Sequence, residues 1–290
     1  MKDDCSGRAE DGEELRLLTY LAPGLPLALF EAVAVHLEHV LGVPTHLASD
    51  ETRSAPEADG PDPFSEGRAD VGFLCAPGYL WLAARRPPAV ELVPAAFVFD
   101  DPRCQGRPVY FAELIAASAS PVASLADLRG TRWVYNDPCS LSGYFSVLAA
   151  VAALADGRDF FGSVRAVGSH HAALRAVERA EADCAAIDSN TLLLERRTGA
   201  ARGVRVIESL GPYPVQPVIV RAGLSGARKE AIAAALLGMH RSEPSRSALA
   251  RCGVRQFAPI TPADYEPERA LLACAPPPSS ASVGPDASRR

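Results

Sequence analysis

The stretch Arg132-Trp133-Val134-Tyr135-Asn136-Asp137-Pro138-Cys139-Ser140-Leu141-Ser142-Gly143 passes from a bulky apolar run, through a proline-bearing turn, into a serine-rich segment. The run predicts a buried strand over residues 132–135. Pro138 turns the residue before it away from helical backbone. Ser140 and Ser142 suit the start of a helix, which the sequence carries to about Ala155. Strand, loop and helix start recur on both sides of this unit.

Toward the C-terminus, Val164–Val167 and Cys184–Ile187 read as strands, each followed by a helix, at about His171–Ala180 and Thr191–Arg197. Val204–Ile207 is extended, Val215–Val220 begins a return, and a helix runs from Ser225 to about His240. Toward the N-terminus, Ser124-Leu125-Ala126-Asp127 has capping-box spacing and opens a short helix ended by Gly130. Leu15–Thr19 is a strand. The helix from about Leu25 to Leu41 places Leu29, Val33, Leu37, Val40 and Leu41 near one face, and Gly42 and Pro44 end it. Thr45–Ala48 is a second strand and Ser49–Pro63 a polar surface loop. Val71–Cys75 is a strand ended by a turn at Ala76-Pro77-Gly78, and Leu92–Phe99 and Val109–Ile115 are single extended runs.

Strands separated by helices of this length imply parallel βαβ units. The expected fold class is α/β: two doubly wound lobes joined by a hinge. Residues 14–104 with 213–274 form one lobe and 105–212 the other. The ends, 1–13 and 275–290, are polar or low-complexity and are expected to be disordered.

Of the 290 residues 48% are hydrophobic, enough for a sizeable core, and 22% are charged with a net charge of -6. With no basic run, a nucleic-acid surface is not expected. No apolar stretch approaches the ~20 residues of a membrane span. The first residues are acidic and lack the apolar segment of a signal peptide, so the chain as written reads as cytoplasmic. Seven scattered cysteines without CxxC spacing suit a reducing compartment.

Ligands in such sheets sit where strands end and helices begin, which selects the loops after Thr19, Cys75, Tyr135, Val167 and Ile187. Ser140 and Ser142, beside the free N–H groups of a helix start, make a site for a tetrahedral oxyanion, with Gly143 allowing close backbone approach. Simple N-capping accounts for the same serines. In Gly168-Ser169-His170-His171 one imidazole can donate to an anion or stand as an exposed cap. In Asp188-Ser189-Asn190 the carboxylate can accept from a protonated oxyanion, hold an amine, or cap a helix. Tyr20, Tyr79 and Tyr213 fall at loops where they either line a pocket or pack. GxGxxG, P-loop, HExxH and GxSxG motifs are missing, so neither cofactor nor metal is expected. A Cys139–His170 nucleophile and base lack a third group to orient the histidine.

These segments together resemble the phosphate/phosphite/phosphonate substrate-binding proteins of ABC transporters. Asn136–Tyr144 resembles that family's DP-x-S-x-SG-aromatic loop. Gly168-Ser169-His170, Leu174-Arg175-Ala176-Val177 and Ala182–Ser189 match its G-x-H, LAV and DxA segments. Asp127-Leu128-Arg129-Gly130 resembles its DLxGK stretch, and Ala69–Phe73 its first-lobe strand. The similarity spans roughly residues 15–260. It implies a type II periplasmic-binding-protein fold that closes like a clam shell, with Ser140, Ser142 and His170 on the anion. The full set expected around the ligand is Ser140, Leu141, Ser142, Gly143, His170, Asp188, Tyr20, Tyr79, Asn190 and Gln216. The implied partners are a small oxyanion and an ABC transporter permease. Asn190 and Gln216 stand where aminophosphonate binders carry acids, which weakens the case for an amine-bearing ligand. The missing leader leaves open a cytoplasmic enzyme or sensor on the same fold, acting on a small phosphorylated or carboxylated metabolite, or a secreted binder whose start lies upstream.

Overall fold

In β1 (Leu15–Thr19) apolar Leu15 and Leu17 and the hydroxyl of Thr19 face inward, while the residues between them are half-buried. The computed structural model describes residues 11–274 except 23, 153 and 155–159. Helix α1 (Leu27–Leu41) buries Leu29, Phe30, Val33, Ala34 and Leu37, one apolar stripe at helical spacing. Gly42 closes it at φ +66°, donating its N–H to the Glu38 carbonyl. A Cβ is disfavoured in that left-handed conformation, so glycine ends the helix there.

The first sheet has the order β2-β1-β3-β11-β4, built from β2 (Thr45–Ser49), β3 (Val71–Phe73), β4 (Val90–Leu92) and β11 (Val218–Arg221). The second has the order β10-β6-β9-β7-β8, with β6 (Val109–Ala117), β7 (Arg132–Tyr135), β8 (Ser163–Ala166), β9 (Cys184–Asp188) and β10 (Val204–Pro214). β5 (Ala96–Phe99) pairs with β12 (Val254–Ala258) as a separate ribbon packed on the first core. In that core Phe97 meets Phe257 at 4.5 Å and Phe30 meets Phe73 at 5.1 Å between ring centroids. Each such buried ring contributes about 1.5–3 kcal/mol relative to exposure.

The sheets are mixed, not wholly parallel. β1, β2 and β3 run parallel, as do β7, β8 and β9, but β11 is antiparallel to β3 and β4, and β6 to β9 and β10. The reversed strand of each sheet is the one by which the chain enters from the other, through residues 100–108 into β6 and through 215–217 into β11. The first crossing holds only a single 3-10 turn, Pro102–Cys104, and the second no helix at all, so neither has the long crossover helix that returns a chain to a parallel course.

Several local expectations change. The turn at Ala76-Pro77-Gly78 is the start of α2 (Ala76–Ala84), because proline is tolerated in a helix's first turn. Gly78 is there for close packing: a Cβ on it would lie 2.3 Å from the Ala55 Cβ. The run Leu92–Phe99 breaks into β4 and β5 at Pro94, which has no N–H for a ladder. The loop 49–63 is not wholly superficial. Ala55 is fully buried, and Arg85 ties the loop down through Asp62 at 2.5 Å and the Gly60 carbonyl at 2.7 Å. Helices α3 (Ser146–Ala152), α4 (His170–Glu178), α5 (Ser189–Arg197) and α6 (Gly226–Gly238) follow the expected course. α7 (Glu243–Arg251), β12 and α8 (Glu266–Cys274) were not anticipated. Of the N-terminal tail, Asp11 accepts the Ser225 N–H at 3.0 Å and so touches the start of α6. Residues 1–10 and 275–290, and Ala155 at the expected end of α3, lie outside the described residues.

Candidate anion site

The C-terminal ends of β1 and β3 face those of β7, β8 and β9 across one small cavity. Its volume is about 40 Å³, on a scale where one water needs roughly 10–15 Å³.

After β7 the chain makes a turn organised by Asp137. Its Oδ1 accepts the Cys139 N–H at 2.8 Å, and its Oδ2 accepts the Asn136 side-chain amide at 2.8 Å. Ser140 then caps a π-helical turn over Leu141–Phe145, its Oγ accepting the Gly143 N–H at 3.1 Å. A Cβ on Gly143 would lie 1.9 Å from Asn136 Oδ1, so the close approach that demands glycine is to the preceding turn. A single π-turn spliced onto a helix is a frequent device at functional sites. Here it presents the Ser140 and Ser142 hydroxyls together, 3.5 Å apart.

Ser142 Oγ donates a very short hydrogen bond to Asp188 Oδ1. His170, the first residue of α4, brings its Nε2 to 3.4 Å from both Ser142 Oγ and Asp188 Oδ1. Gln216, on the return crossing, donates to Asp188 Oδ2 at 2.6 Å. All four side chains are buried. Burial opposes protonation of His170, but the charge and hydrogen bond of Asp188 outweigh it, aided by Asp137 and the Ala186 carbonyl. The imidazole is held above its ordinary pKa. Burial pushes the Asp137 carboxyl up as well.

The cavity thus offers hydroxyl donors, a favoured imidazolium and the N-termini of two helical segments, with no lysine on its wall. Ser142 and Asp188 address the same nitrogen of His170. In a nucleophile–base–acid relay they would take opposite nitrogens. Burial pushes the Cys139 thiol up to about 12, so it is not an activated nucleophile.

Besides Gln216 to Asp188, further hydrogen bonds tie the two sides together near the cavity. Ser54 Oγ donates to Asp137 Oδ1 at 2.9 Å, Thr191 Oγ1 to the Gly24 carbonyl at 2.8 Å, and Leu141 N–H to Cys75 Sγ at 3.2 Å.

Of the residues singled out from sequence, Ser140, His170, Asp188, Tyr20 and Gln216 line the cavity, and Ser142 joins them through His170 and Asp188. Leu141 and Gly143 are buried in the turn itself. Asn190 is buried in the first turn of α5 and is not on the wall; neither polar atom of its side chain has a partner. Tyr79 is turned away because α2 begins before it, and it packs edge-on to Tyr265 at 5.4 Å. Tyr213 packs against Tyr110 at 6.2 Å. Arg53, Ser54, Asn136 and Asp137 also line the cavity and were not singled out. An Asn-Asp pair ahead of a proline is a turn signal that points to the last two. Nothing local marks Arg53 or Ser54 within a polar loop.

Residues 26–265 match the family model described as ABC transporter, phosphonate, periplasmic substrate-binding protein. The chain belongs to this family. The family is one of transport substrate-binding proteins. A binding protein component of an ABC phosphonate transporter from Pseudomonas aeruginosa superposes with a TM-score of 0.74 at 19% identity, over 90% of this chain and 86% of that one. PhnD1 from Prochlorococcus marinus, in complex with methylphosphonate, gives 0.75 at 12% identity over 90% and 98%. The periplasmic aliphatic sulphonate binding protein SsuA from Escherichia coli gives 0.62 at 14% over 91% and 87%. The fold shared with these members and neighbours is the type II periplasmic-binding-protein fold. Among the described residues no helix is long and apolar enough to cross a membrane, and no group of three or more His, Cys, Asp or Glu side chains is placed to hold a metal ion.

Proposed function

We propose that this chain captures a small phosphorus oxyanion, a phosphonate, phosphite or phosphate, between residues 14–104 with 213–274 and residues 105–212, and delivers it to an ABC transporter permease. The observation that carries this reading is the convergence of Ser140, Ser142, His170 and Asp188 on one small cavity. Ser140 and Ser142 hydroxyls and the His170 imidazolium donate to the anion, and Asp188 accepts from a ligand oxygen that keeps its proton. The cavity's size suits a tetrahedral head with a small substituent. Asp188 is already paired with Ser142, His170 and Gln216, so it is poorly placed to serve as counter-ion for an ammonium group.

Calorimetric titration with methylphosphonate, phosphite, phosphate, 2-aminoethylphosphonate and methanesulfonate tests the proposal. Binding of one of the first three, with weaker binding of the aminated and sulfonated compounds, is expected. Binding of the sulfonate alone, or of none of the five, would overturn it.

A further inference from the structure

Glu268 is fully buried on α8, and neither of its carboxyl oxygens has a hydrogen-bond partner. The buried Tyr110 hydroxyl is likewise without one. α8 packs against α2 of the first sheet on one side and against α3 and the 141–145 turn of the second on the other. Leu272, one turn beyond Glu268, touches both cores.

The groups that sense Glu268 come from both sides: Cys75 at the head of α2, Tyr110 on β6, Tyr213 on β10, and Tyr265 just before α8. Tyr144 is the one titratable side chain among residues 141–152. Tyr79, on α2, senses Glu266 and Arg269, which pair with each other at 3.3 Å on the exposed side of α8. The further carboxylates acting on Cys75, Tyr110 and Tyr265 are Asp137, Asp188 and Asp264, all of the same sign as Glu268. A carboxylate here would be desolvated with no donor to compensate it. Burial accordingly pushes the Glu268 carboxyl well above its ordinary value.

We propose that Glu268 is a proton-operated latch: closing the lobes buries its carboxyl in the neutral form, and opening them exposes and ionises it. The walls around it come from both sheets, so its burial is a property of the closed arrangement. The proposal rests on the reading above only in that the lobes open and close. Its sign follows from linkage. Below about pH 4.5, where a free glutamate titrates, both states hold the proton and closure is undisturbed. As pH rises toward the closed-state value, the open state alone loses its proton, and the closing constant falls up to about tenfold per pH unit. Closure thereby takes up a proton that a neutral side chain would not need.

Small-angle X-ray scattering of the full chain without ligand, in steps from about pH 5 to pH 8, follows the closed fraction. Wild type is expected to become more compact as pH falls. Glu268→Gln is expected to be more closed at the upper end and to lose about one proton from the pH dependence. The remaining slope belongs to Asp137 and His170. Glu268→Met serves if the glutamine variant does not fold, and Glu266→Gln, on the exposed side of α8, should follow wild type. A wild-type profile that is flat with pH, or a neutral variant that keeps the wild-type slope, overturns the latch. Failure of methylphosphonate, phosphite and phosphate to bind would overturn the oxyanion reading and leave the scattering result to judge Glu268.

Discussion

Ser142 has one hydroxyl hydrogen, which is held by Asp188. A bound oxyanion must compete for it or, where it keeps a proton, donate that proton to the Ser142 lone pairs. A neutral hydrogen bond is worth roughly 0.5–1.5 kcal/mol net, so Ser142→Ala is expected to weaken oxyanion binding about 2- to 12-fold by calorimetry. His170 has a different signature. Its protonated form is favoured by Asp188, so its donor charge is fully present below the ordinary imidazole range and is lost as pH rises through the raised value. Affinity for a fully ionised oxyanion should fall across that interval, and His170→Gln should flatten the fall. A histidine variant with the wild-type pH profile would remove His170 from the anion.

At the scale of elements, the π-turn depends on Gly143 lying against Asn136. Gly143→Ala drives a methyl into the Asn136 side chain. Overpacking of this kind costs about 1–3 kcal/mol, measurable by chemical denaturation. Shortening the obstacle with Asn136→Ala should recover part of the loss in the double variant. A second element-level device is Asp70, just ahead of β3. It accepts from Arg16 Nε at 2.9 Å on β1 and from Arg221 Nε at 2.7 Å on β11, joining three strands of the first sheet. Burial works against its ionisation, and the two arginines overcome this, holding its carboxyl below the ordinary value. Its contribution is therefore present above the usual carboxylate range and is lost as pH falls through the lowered value. Asp70→Asn is expected to destabilise by about 1.5–3 kcal/mol at neutral pH, and by progressively less in acid.

For the whole molecule, the Ser54–Asp137 and Thr191–Gly24 hydrogen bonds join groups on opposite sides of the cavity. Neither Ser54 nor Thr191 needs to touch a ligand to affect its retention. Thr191→Val is expected to speed ligand release about 2- to 12-fold in stopped-flow experiments, with little change in the melting of the unliganded protein. Equal loss of melting temperature with and without ligand would mark the bond as simple packing.

The sequence by itself determined the alternation of strands and helices, the serine loop and the histidine and aspartate that follow the next two strands. These are local properties: apolar periodicity, a proline ahead of two serines, and a glycine that ends a helix. It also carried the family likeness, because that likeness lies in the same contiguous loops. The tertiary structure alone decided that Tyr79 faces Tyr265, that Gly143 makes room for Asn136, and that Arg53 and Ser54 reach the cavity from a loop with no local signal. It alone reversed β6 and β11, set Asp188 among Ser142, His170 and Gln216, and buried Glu268 between two sheets. The reason is physical. Backbone preference and amphipathic pattern act over a few residues, whereas burial, charge pairing and close approach depend on segments that meet only after the chain has crossed between the sheets and returned.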